Sequence, residues 1–375
     1  MKILVLSSFT TSLFWFRIDM MQSFLQAGHE VLAVAEEPEE LWENKFAALG
    51  IRYRSIPVQR NGMNPLKDLQ TLRALKTLMK EEKPDKIFAY QAKTVIYGGM
   101  AAAGCGITEF YPLIAGLGSI FLSDDLKTRL VRKILVTEYK YGMRKTPKAF
   151  FQNENDLGVF IKHGIISGDR AVILNGSGVN LDKFPQKPLP EEFALLCISR
   201  LIRDKGVMEY LEACRILKQR HPQVRCMLVG PFDTNPSAIQ KEELQGYIDD
   251  GSIEYFGEQK NVQPYLEQCS IYVLPSYHEG TPKTVLEAMA TGRPILTTDA
   301  PGCRQTVPEG RNGILVPVKS IPALVDAMEQ LMTDAAMCKG MGCESRKLAQ
   351  ERYDVRIINQ KILETMKLIP TQKEH

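Results

Sequence analysis

The most constraining feature of the chain is an alternation of short apolar stretches with segments of helical periodicity, which runs through most of its 375 residues. This alternation predicts parallel sheets covered by helices on both faces, because each strand must return in the same direction through a helical crossover. The predicted strands are 2–6, 30–35, 85–90, 111–115, 194–198, 225–229, 252–256 and 271–274. The predicted helices are 17–27, 66–82, 95–103, 207–219 and 355–368. The sequence therefore predicts an α/β fold of doubly wound parallel sheets.

Two cores are expected, because a chain of this length exceeds the usual span of one hydrophobic core. A Pro-rich passage that begins at Pro185 separates the two series of strands and is typical of a linker. We therefore expect one Rossmann-like domain at 1–185 and a second at 186–352. The last segment, 353–375, contains a helix that can pack on either domain, and a return to the N-terminal domain is one of these alternatives.

Composition excludes several classes of protein. An apolar fraction of 44% and a charged fraction of 24% are typical of a globular protein. No apolar run reaches the length of about 18 residues that a membrane-spanning helix needs, and the N-terminus lacks the pattern of a signal peptide. We therefore expect a cytoplasmic protein. None of the eight cysteines stands in a C-x-x-C spacing, which argues against zinc and redox pairs.

The positive charge of the chain is concentrated in its N-terminal half. Residues 1–185 hold 24 Lys and Arg against 19 Asp and Glu, which suits either an anionic partner or a solvated surface. Within 127–148 basic and apolar residues interleave in a predicted helix. Such a helix either lies on an anionic bilayer or packs on the core with a basic outer face. The aromatic cluster Phe14-Trp15-Phe16 likewise belongs to a lipid-facing rim or to the core.

Polar residues follow the predicted strand 271–274, at the sheet edge where open α/β folds bind ligands. The pattern predicts a helix after this loop, with Thr281 as N-cap, Pro282 at the first helical position and Gly292 as C-cap.

Two carboxylates lie in this segment, Glu279 in the loop and Glu287 in the helix. Free amides near Lys283 and Thr284 can hold a diphosphate at the positive end of the helix dipole. Glu279 can accept hydrogen bonds from sugar hydroxyls and Glu287 from a ribose. The alternative is that both carboxylates are solvated residues that flank a helix.

Two cations follow the predicted strand 194–198. Arg200 and Lys205 stand where a leaving diphosphate would lie, and they could stabilise its charge as a bond to phosphate breaks. The alternative is a surface salt bridge of Arg203 or Lys205 with Asp204.

Further short motifs lie between residues 190 and 320. They are Lys205-Gly206 after Arg200, Val229-Gly230, Phe256-Gly257, the run from Glu279 to Glu287, Pro301-Gly302-Cys303-Arg304 and Asn312-Gly313. In this order and spacing they resemble the second domain of retaining GT-B glycosyltransferases of family 4. The resemblance implies two Rossmann-like domains that face each other across a cleft.

The resemblance also implies the site residues. The catalytic residues are Arg200 and Lys205 at the donor diphosphate and Glu279 at the transferred sugar. The donor-binding residues are Glu287, Gly280, Thr281, Pro282, Lys283, Thr284, Gly230, Phe256 and Gln259. In the family, the position of Glu287 contacts the ribose, and the segment 256–259 borders the base. No cofactor and no metal ion is implied.

Motifs of the N-terminal half support a narrower resemblance. They are Gln91-Ala92-Lys93-Thr94-Val95-Ile96-Tyr97-Gly98, Gly116-Leu117-Gly118, Asn153 and Asn175-Gly176-Ser177-Gly178-Val179. They are similar to those of enzymes that extend undecaprenyl-diphosphate-linked oligosaccharides in capsule, O-antigen and glycan-precursor assembly. This implies acceptor-binding residues, namely Lys93, Arg17, Gly116 and Gly118.

For Lys93 the alternative is a lysine that snorkels at a helix start. Many members of the family carry a Gly-Gly loop, whose amides bind the donor phosphate, where this chain has 10–17, and Arg17 is a candidate substitute for these amides. Others carry a histidine near 116–118, so no side-chain base is evident here.

The sequence thus predicts a metal-independent, retaining transferase that moves a hexose or N-acetylhexosamine from a UDP-sugar to a lipid-diphosphate-linked saccharide at the inner face of the membrane. No nucleic-acid partner is expected. A GT-B nucleotide-sugar epimerase and a non-catalytic module that binds sugar nucleotides are the alternatives. The sequence lacks, in matched positions, the acid and base residues that an epimerase needs. The cations Arg200 and Lys205 argue against a module that only binds.

Overall fold

The computed structural model of the chain describes residues 1–59, 64–117, 121 and 126–370, so the predicted acceptor residue Gly118 lies outside the described residues. The chain divides into two compact units. Unit 1 comprises Met1–Ser177 and Val355–His375, and unit 2 comprises Gly178–Asp354. The division precedes the Pro-rich passage, which therefore belongs to unit 2.

The described part of unit 1 contains a parallel sheet of seven strands. The strands are β1 (Lys2–Leu6), β2 (Glu30–Ala35), β3 (Arg52–Ser55), β4 (Lys86–Tyr90), β5 (Phe110–Ile114), β6 (Ala149–Phe151) and β7 (Ala171–Ile173). Their order across the sheet is β3-β2-β1-β4-β5-β6-β7. Ile3 and Val5 pack in one apolar cluster, and Leu4 and Leu6 pack in another. The sheet is therefore buried on both faces, as the apolar runs indicate.

Six helices connect the described strands of unit 1. They are α1 (Thr10–Gln26), α2 (Glu39–Ala47), α3 (Pro65–Glu82), α4 (Ala92–Gly104), α5 (Leu126–Met143) and α6 (Glu154–Lys162). The predicted start of the first helix at residue 17 is wrong, because α1 begins at Thr10. Thr, Ser and Phe near this start are weak helix formers, but Leu13 is fully buried there. Core packing therefore outweighs local propensity.

Unit 2 contains a parallel sheet of six strands. The strands are β8 (Ala194–Ile198), β9 (Arg225–Val229), β10 (Glu254–Tyr255), β11 (Ile271–Leu274), β12 (Ile295–Thr298) and β13 (Gly313–Val316). Their order is β10-β9-β8-β11-β12-β13. The helices are α7 (Val207–Arg220), α8 (Lys241–Asp249), α9 (Gln263–Gln268), α10 (Lys283–Thr291), α11 (Ile321–Thr333) and α12 (Ala335–Leu348).

The last helix, α13 (Val355–Thr365), belongs to unit 1. Its residues Ile358 and Ile362 lie in the apolar cluster that also contains Met21 and Phe24 of α1. After the helix, the backbone carbonyl of Leu368 contacts the His29 ring at 2.9 Å. The last described helix and the residues after it up to Leu368 therefore pack on the unit in which the chain begins.

In both sheets the strand order reverses between two neighbouring strands. In unit 1 these strands are β1 and β4, and in unit 2 they are β8 and β11. The loops that follow such a pair diverge and leave a crevice at the carboxyl edge of the sheet, which is where doubly wound folds bind ligands. We call these places the unit 1 switch point and the unit 2 switch point.

Candidate active site

The loops after β8 and β11 meet at the unit 2 switch point. The amide of Tyr277 donates to the carbonyl of Asp204 over 2.9 Å, which ties the two loops together. The hydroxyl of Thr297 in β12 donates to the carbonyl of Leu274 over 2.6 Å, at the end of β11. These bonds to backbone carbonyls fix where the loop after β11 begins.

Lys205 and Glu279 form an ion pair between these two loops. The Nζ atom of Lys205 lies 2.5 Å from Oε1 of Glu279, and the two side chains are 18% and 13% exposed. The alternative pairing with Asp204 is not formed among the described residues, because Arg203 pairs with Glu243 instead. The structure therefore brings two of the three predicted catalytic residues into direct contact.

The position of Glu279 is set by the backbone after β12. The amide of Glu279 donates to the carbonyl of Pro301 over 2.9 Å. Gly302 has a φ of 79°, and a Cβ atom there would lie 2.1 Å from the Glu279 carbonyl oxygen and 2.6 Å from that of Gly280. Only glycine permits this approach. The Pro301-Gly302 motif therefore determines how the loop presents Glu279.

Arg200, the third predicted catalytic residue, lies at the same edge of the sheet. Its Nη1 donates to Oδ2 of Asp233 over 2.8 Å, and its side chain is 40% exposed. A guanidinium has five N–H donors, so the bond to Asp233 leaves others for an anion. Arg200 is therefore oriented by the Asp233 carboxylate and keeps N–H donors that can bind a second anion.

The start of α10 differs from the prediction. The helix begins at Lys283, Pro282 is the N-cap residue, and no side chain among the described residues caps it. The predicted roles of Thr281 as N-cap and Pro282 as first helical residue are wrong by one position, because Pro282 has an extended backbone with ψ of 115°. The C-cap at Gly292 is confirmed by its φ of 85°. The first turn of α10 thus presents backbone amides to the loop.

The hydroxyl of Thr284 forms hydrogen bonds within the protein. It accepts a hydrogen bond of 2.6 Å from the Tyr272 hydroxyl in β11 and donates to the carbonyl of Ile198 over 3.4 Å at the end of β8. These bonds join the start of α10 to both strands of the unit 2 switch point, β11 and β8.

Glu287 carries a buried carboxylate. The residue is 8% exposed, and its side chain has no hydrogen bond or ion pair with the described residues. Burial raises the pKa of Glu287 to about 7, and the positive charge of Lys283 opposes this rise. A buried carboxylate without donors is costly, so a ligand with hydroxyl groups would satisfy it. The alternative of a solvated residue is wrong for Glu287.

The predicted base-binding residues lie where β9 and β10 end. The Tyr255 hydroxyl and the Gly230 carbonyl are joined over 2.8 Å, and the Gly230 amide donates to the Gly257 carbonyl over 2.8 Å. Nε2 of Gln259 donates to the carbonyl of Phe256 over 2.7 Å. These bonds form one ordered border at the carboxyl edge of the unit 2 sheet.

The predicted acceptor residues lie in unit 1. The Nζ atom of Lys93 is 2.5 Å from Oδ1 of Asp68, and both side chains are nearly enclosed, so Lys93 is not a solvated lysine at a helix start. Gly116 is exposed after β5. Arg17 is 4% exposed, and its guanidinium carbon lies 4.9 Å from the centre of the Tyr90 ring.

Two families match the chain, one in each unit. The family described as "Glycosyl transferase 4-like" matches residues 2–153, and "Glycosyl transferases group 1" matches residues 192–334, which contain Arg200, Lys205, Glu279 and Glu287. This chain is a GT-B glycosyltransferase of group 1.

Curated relatives of this glycosyltransferase include enzymes that act on undecaprenol-linked saccharides. It is 27% identical over 384 residues to the N,N'-diacetylbacillosaminyl-diphospho-undecaprenol alpha-1,3-N-acetylgalactosaminyltransferase of Campylobacter jejuni, with 97% of each chain covered. It is 22% identical over 305 residues to the UDP-Gal:alpha-D-GlcNAc-diphosphoundecaprenol alpha-1,3-galactosyltransferase of Escherichia coli, with 76% of each chain covered.

A solved structure of similar fold is that of Anabaena HepE in complex with UDP. It has a TM-score of 0.77 at 18% sequence identity and covers 98% of this glycosyltransferase and 99% of its own chain. At this identity the likeness shows the GT-B fold alone.

Sequence reasoning missed several polar residues of the glycosyltransferase. Asp233 and Asp68, the partners of Arg200 and Lys93, come from other elements, and no local spacing indicates these pairings. Gln91 has a φ of 73°, which is rare for a residue with a side chain. Gln91 opens one of the motifs of the N-terminal half, but no role was predicted for it, although its place directly after the predicted strand 85–90 is a signal for a ligand-binding residue.

Two further findings concern the described residues only. Across them, no group of three His, Cys, Asp or Glu side chains is arranged to hold a metal ion. None of their helices is long and apolar enough to cross a bilayer.

Proposed function

We propose that this glycosyltransferase moves a hexose or N-acetylhexosamine from a UDP-sugar to an undecaprenyl-diphosphate-linked saccharide, with retention of configuration, in the assembly of a surface polysaccharide or glycan. The observation that carries the proposal is the contact of Lys205 with Glu279 at the unit 2 switch point, together with the buried position of Glu287 in α10. The names of the Campylobacter and Escherichia relatives support the acceptor class, and the UDP-Gal donor in the name of the Escherichia relative supports the nucleotide.

In this proposal the donor lies at the unit 2 switch point. Lys205 and Arg200 neutralise the diphosphate, the amides at the start of α10 bind its oxygens, and Glu279 accepts hydrogen bonds from the sugar. The ribose hydroxyls donate to Glu287, which has no other donor among the described residues. In this arrangement the cations bind the anionic diphosphate, and the two carboxylates accept hydrogen bonds from hydroxyl groups of the donor.

The proposed reaction exchanges two bonds at the anomeric carbon of the sugar. The bond from this carbon to the diphosphate oxygen breaks, and a bond to the acceptor hydroxyl forms on the same face. The proton of that hydroxyl passes to the departing phosphate, so a side-chain base is not required. The cations of Lys205 and Arg200 stabilise the leaving diphosphate in place of a divalent ion. The rate should therefore stay within about twofold when EDTA is added.

The acceptor is proposed to bind unit 1. Lys93, Arg17 and Gly116 follow strands at the carboxyl edge of its sheet, which is where ligands of this fold bind. Gly118, two residues after Gly116 in the sequence, belongs to the proposed set but lies outside the described residues.

Helix α5 is proposed to rest on the inner face of the cytoplasmic membrane, where a lipid-linked acceptor resides. Leu130, Ile134 and Tyr141 are 64%, 48% and 58% exposed, and their spacing places them on one face. The exposed side chains of Arg129, Lys133 and Lys140 flank them. A helix with apolar and cationic groups on its outer face suits an anionic lipid surface.

A donor screen with product analysis tests the proposed function. The purified protein is incubated with a set of UDP-sugars and a short-chain lipid-diphosphate saccharide, and the anomeric configuration of the product is read by NMR. We expect transfer from one donor or a few, with the configuration of the donor retained. An inverted product would refute the retaining mechanism. Interconversion of the donor without acceptor would indicate an epimerase, and binding without turnover would indicate a binding module.

A further inference from the structure

The unit 1 switch point is built like the unit 2 switch point. The loops after β1 and β4 diverge at the carboxyl edge of the unit 1 sheet, as those after β8 and β11 do in unit 2. Polar residues from both loops meet there, because Ser7 and Ser8 after β1 bond to Gln91 after β4. A crevice of this kind is the expected ligand site of a doubly wound sheet.

Gln91 is held in an unusual and fixed conformation. Its φ of 73° and ψ of 144° lie in a region that residues with side chains rarely adopt, and such positions cluster at functional sites. Its Oε1 accepts hydrogen bonds from the Ser7 hydroxyl at 2.9 Å and from the amide and hydroxyl of Ser8, both at 2.8 Å. Its Nε2 has no partner among the described residues. The side chain is therefore anchored by its oxygen and keeps two donors for a ligand.

The start of α4 adds backbone donors at the same place. The helix runs for 13 residues from Ala92, Gln91 is its N-cap residue, and no side chain caps it. The amides of Ala92, Lys93 and Thr94 have no acceptor within the described parts of the chain. Free amides at the positive end of a helix favour an anion.

Arg17 is an independent sign of an anionic ligand. Its residue is 4% exposed, it has no ion pair or hydrogen bond with the described residues, and its Nε is fully enclosed without a partner. Its guanidinium lies against Tyr90, the last residue of β4. The carboxylate of Glu36 is bonded to Thr10 instead. Burial lowers the pKa of Arg17, which reflects the cost of enclosing an unpaired cation.

We propose that Arg17, Gln91 and the first turn of α4 bind a phosphate group of the lipid-diphosphate acceptor, an assignment that rests on the proposed function. A phosphate offers acceptor oxygens in several directions, which matches donors from a guanidinium, a side-chain amide and helix amides. The ammonium of Lys93 is already paired with Asp68. The backbone amide of Lys93, and not its charge, then contacts the phosphate.

Calorimetry on the full chain tests this assignment. The protein is saturated with UDP and titrated with farnesyl diphosphate, and farnesol serves as the probe without phosphate. The variants are Arg17→Gln, which removes the charge, and Gln91→Gly, which suits the positive φ and removes the amide. The control is Arg73→Gln, an exposed arginine on α3. We expect each of the two variants to bind farnesyl diphosphate at least about tenfold more weakly, with farnesol and UDP binding within about twofold of wild type.

The arms of this experiment separate the sources of the phosphate. Equal farnesyl diphosphate affinity in wild type, Arg17→Gln and Gln91→Gly, or none in wild type, overturns the inference. Loss of UDP affinity in a folded variant overturns it as well, because the phosphate then belongs to the donor. Lys93→Gln is a third variant. Weaker binding of farnesyl diphosphate in this variant alone would show that the Lys93 ammonium binds the phosphate, and it would overturn the inference. If Arg17→Gln does not fold, Gln91→Gly decides alone. A wild type that binds no UDP refutes the proposed function itself.

Discussion

Single residues at the unit 2 switch point differ in how their charges are satisfied. Lys205 and Glu279 neutralise each other in a largely enclosed pair, whereas Glu287 is buried without a donor among the described residues. The pair can be exchanged for ligand contacts when a diphosphate approaches Lys205 and a sugar approaches Glu279. Glu287 instead gains its first donors from the ligand. These different starting states lead to different effects of mutation.

Replacing Lys205 or Glu279 should abolish most of the transfer. In Lys205→Ala and Glu279→Ala, we expect the turnover to fall roughly 100-fold or more, since each change removes a preorganised charge at the reacting groups. The measurement is UDP release in the presence of donor and acceptor, with circular dichroism to show that the fold is retained. Lys218→Ala, a change in α7 away from the switch point, is the matched control. Wild-type turnover in either site variant would refute the site assignment.

Glu287→Gln should stabilise the fold and weaken UDP binding. Because the native pKa of Glu287 is about 7 and its ordinary value is 4.5, the native state binds a proton that the unfolded state has lost between these pH values. Wild-type stability is therefore lost as pH rises through this window, and the variant avoids that loss. The difference in the free energy of unfolding between Glu287→Gln and wild type should be about 2 kcal/mol larger at pH 8 than at pH 5, in favour of the variant.

Urea denaturation at the two pH values measures this difference, with the exposed Asp326→Asn as control. Calorimetry at pH 8 should show weaker UDP binding to Glu287→Gln. An advantage in stability that does not change with pH, or unchanged UDP affinity, would contradict the assigned role of Glu287.

The sequence predicted the residues that carry charge at the unit 2 switch point, because their order after strands is a local pattern. It did not predict which charges are paired. Lys93 is neutralised by Asp68, which lies 25 residues earlier on another helix. Arg17 is buried against Tyr90, which belongs to β4. Such pairings depend on how helices pack over the sheet, and no spacing within one element reveals them.

At the scale of elements, buried strands were predicted better than helix starts and edge strands. The predicted strands 30–35, 194–198, 225–229 and 271–274 coincide with β2, β8, β9 and β11. Their continuous apolar runs result from burial on both faces. The edge strand β3, with the sequence Arg-Tyr-Arg-Ser, was missed because half of its residues are charged. Helix starts depend on tertiary packing, as the early start of α1 shows.

The close packing of α4 against α5 leads to a prediction about stability. A Cβ atom on Gly99 would lie 2.0 Å from the carbonyl oxygen of Gly142 in α5. Gly99→Ala should therefore lower the free energy of unfolding by about 2 kcal/mol, since the helices must separate. The matched control is Gly158→Ala in α6, where nothing lies within 4 Å of the added atom. This control should be more stable by about 0.5–1 kcal/mol, because alanine favours helix over glycine.

Both free energies follow from urea titrations read by circular dichroism. Equal stability of Gly99→Ala and wild type would show that the α4 and α5 contact is looser than the structure gives.

The outer face of α5 leads to a prediction about membranes. In the double variant Leu130→Glu/Ile134→Glu, two exposed apolar side chains become acidic. We expect its binding to vesicles rich in phosphatidylglycerol to fall at least about tenfold, since both apolar burial and charge attraction are lost. Leu66→Glu/Leu69→Glu on α3, also exposed, is the matched control. Co-sedimentation with vesicles measures the binding. A loss of equal size in the control would show that α5 is not the contact surface.

At the scale of the whole molecule, the chain forms two units that each contain a doubly wound sheet and a switch point. The helix α13 belongs to unit 1 although it follows the last strand of unit 2 in the sequence. In unit 2 the donor chemistry is assigned to Lys205, Arg200, Glu279 and Glu287, and unit 1 is assigned the acceptor. The proposed transfer therefore requires two substrates, and neither unit is proposed to perform the reaction alone.

The dependence of UDP release on the acceptor is the most direct test of this central claim. Purified protein is mixed with a UDP-sugar that it binds, with and without a lipid-diphosphate-linked saccharide, and the released UDP is measured over time. The account predicts rapid release with the acceptor and, without it, release slower by a factor of about 100 or more. Release at the same rate in both mixtures, or none in either across the common UDP-sugars, would contradict it.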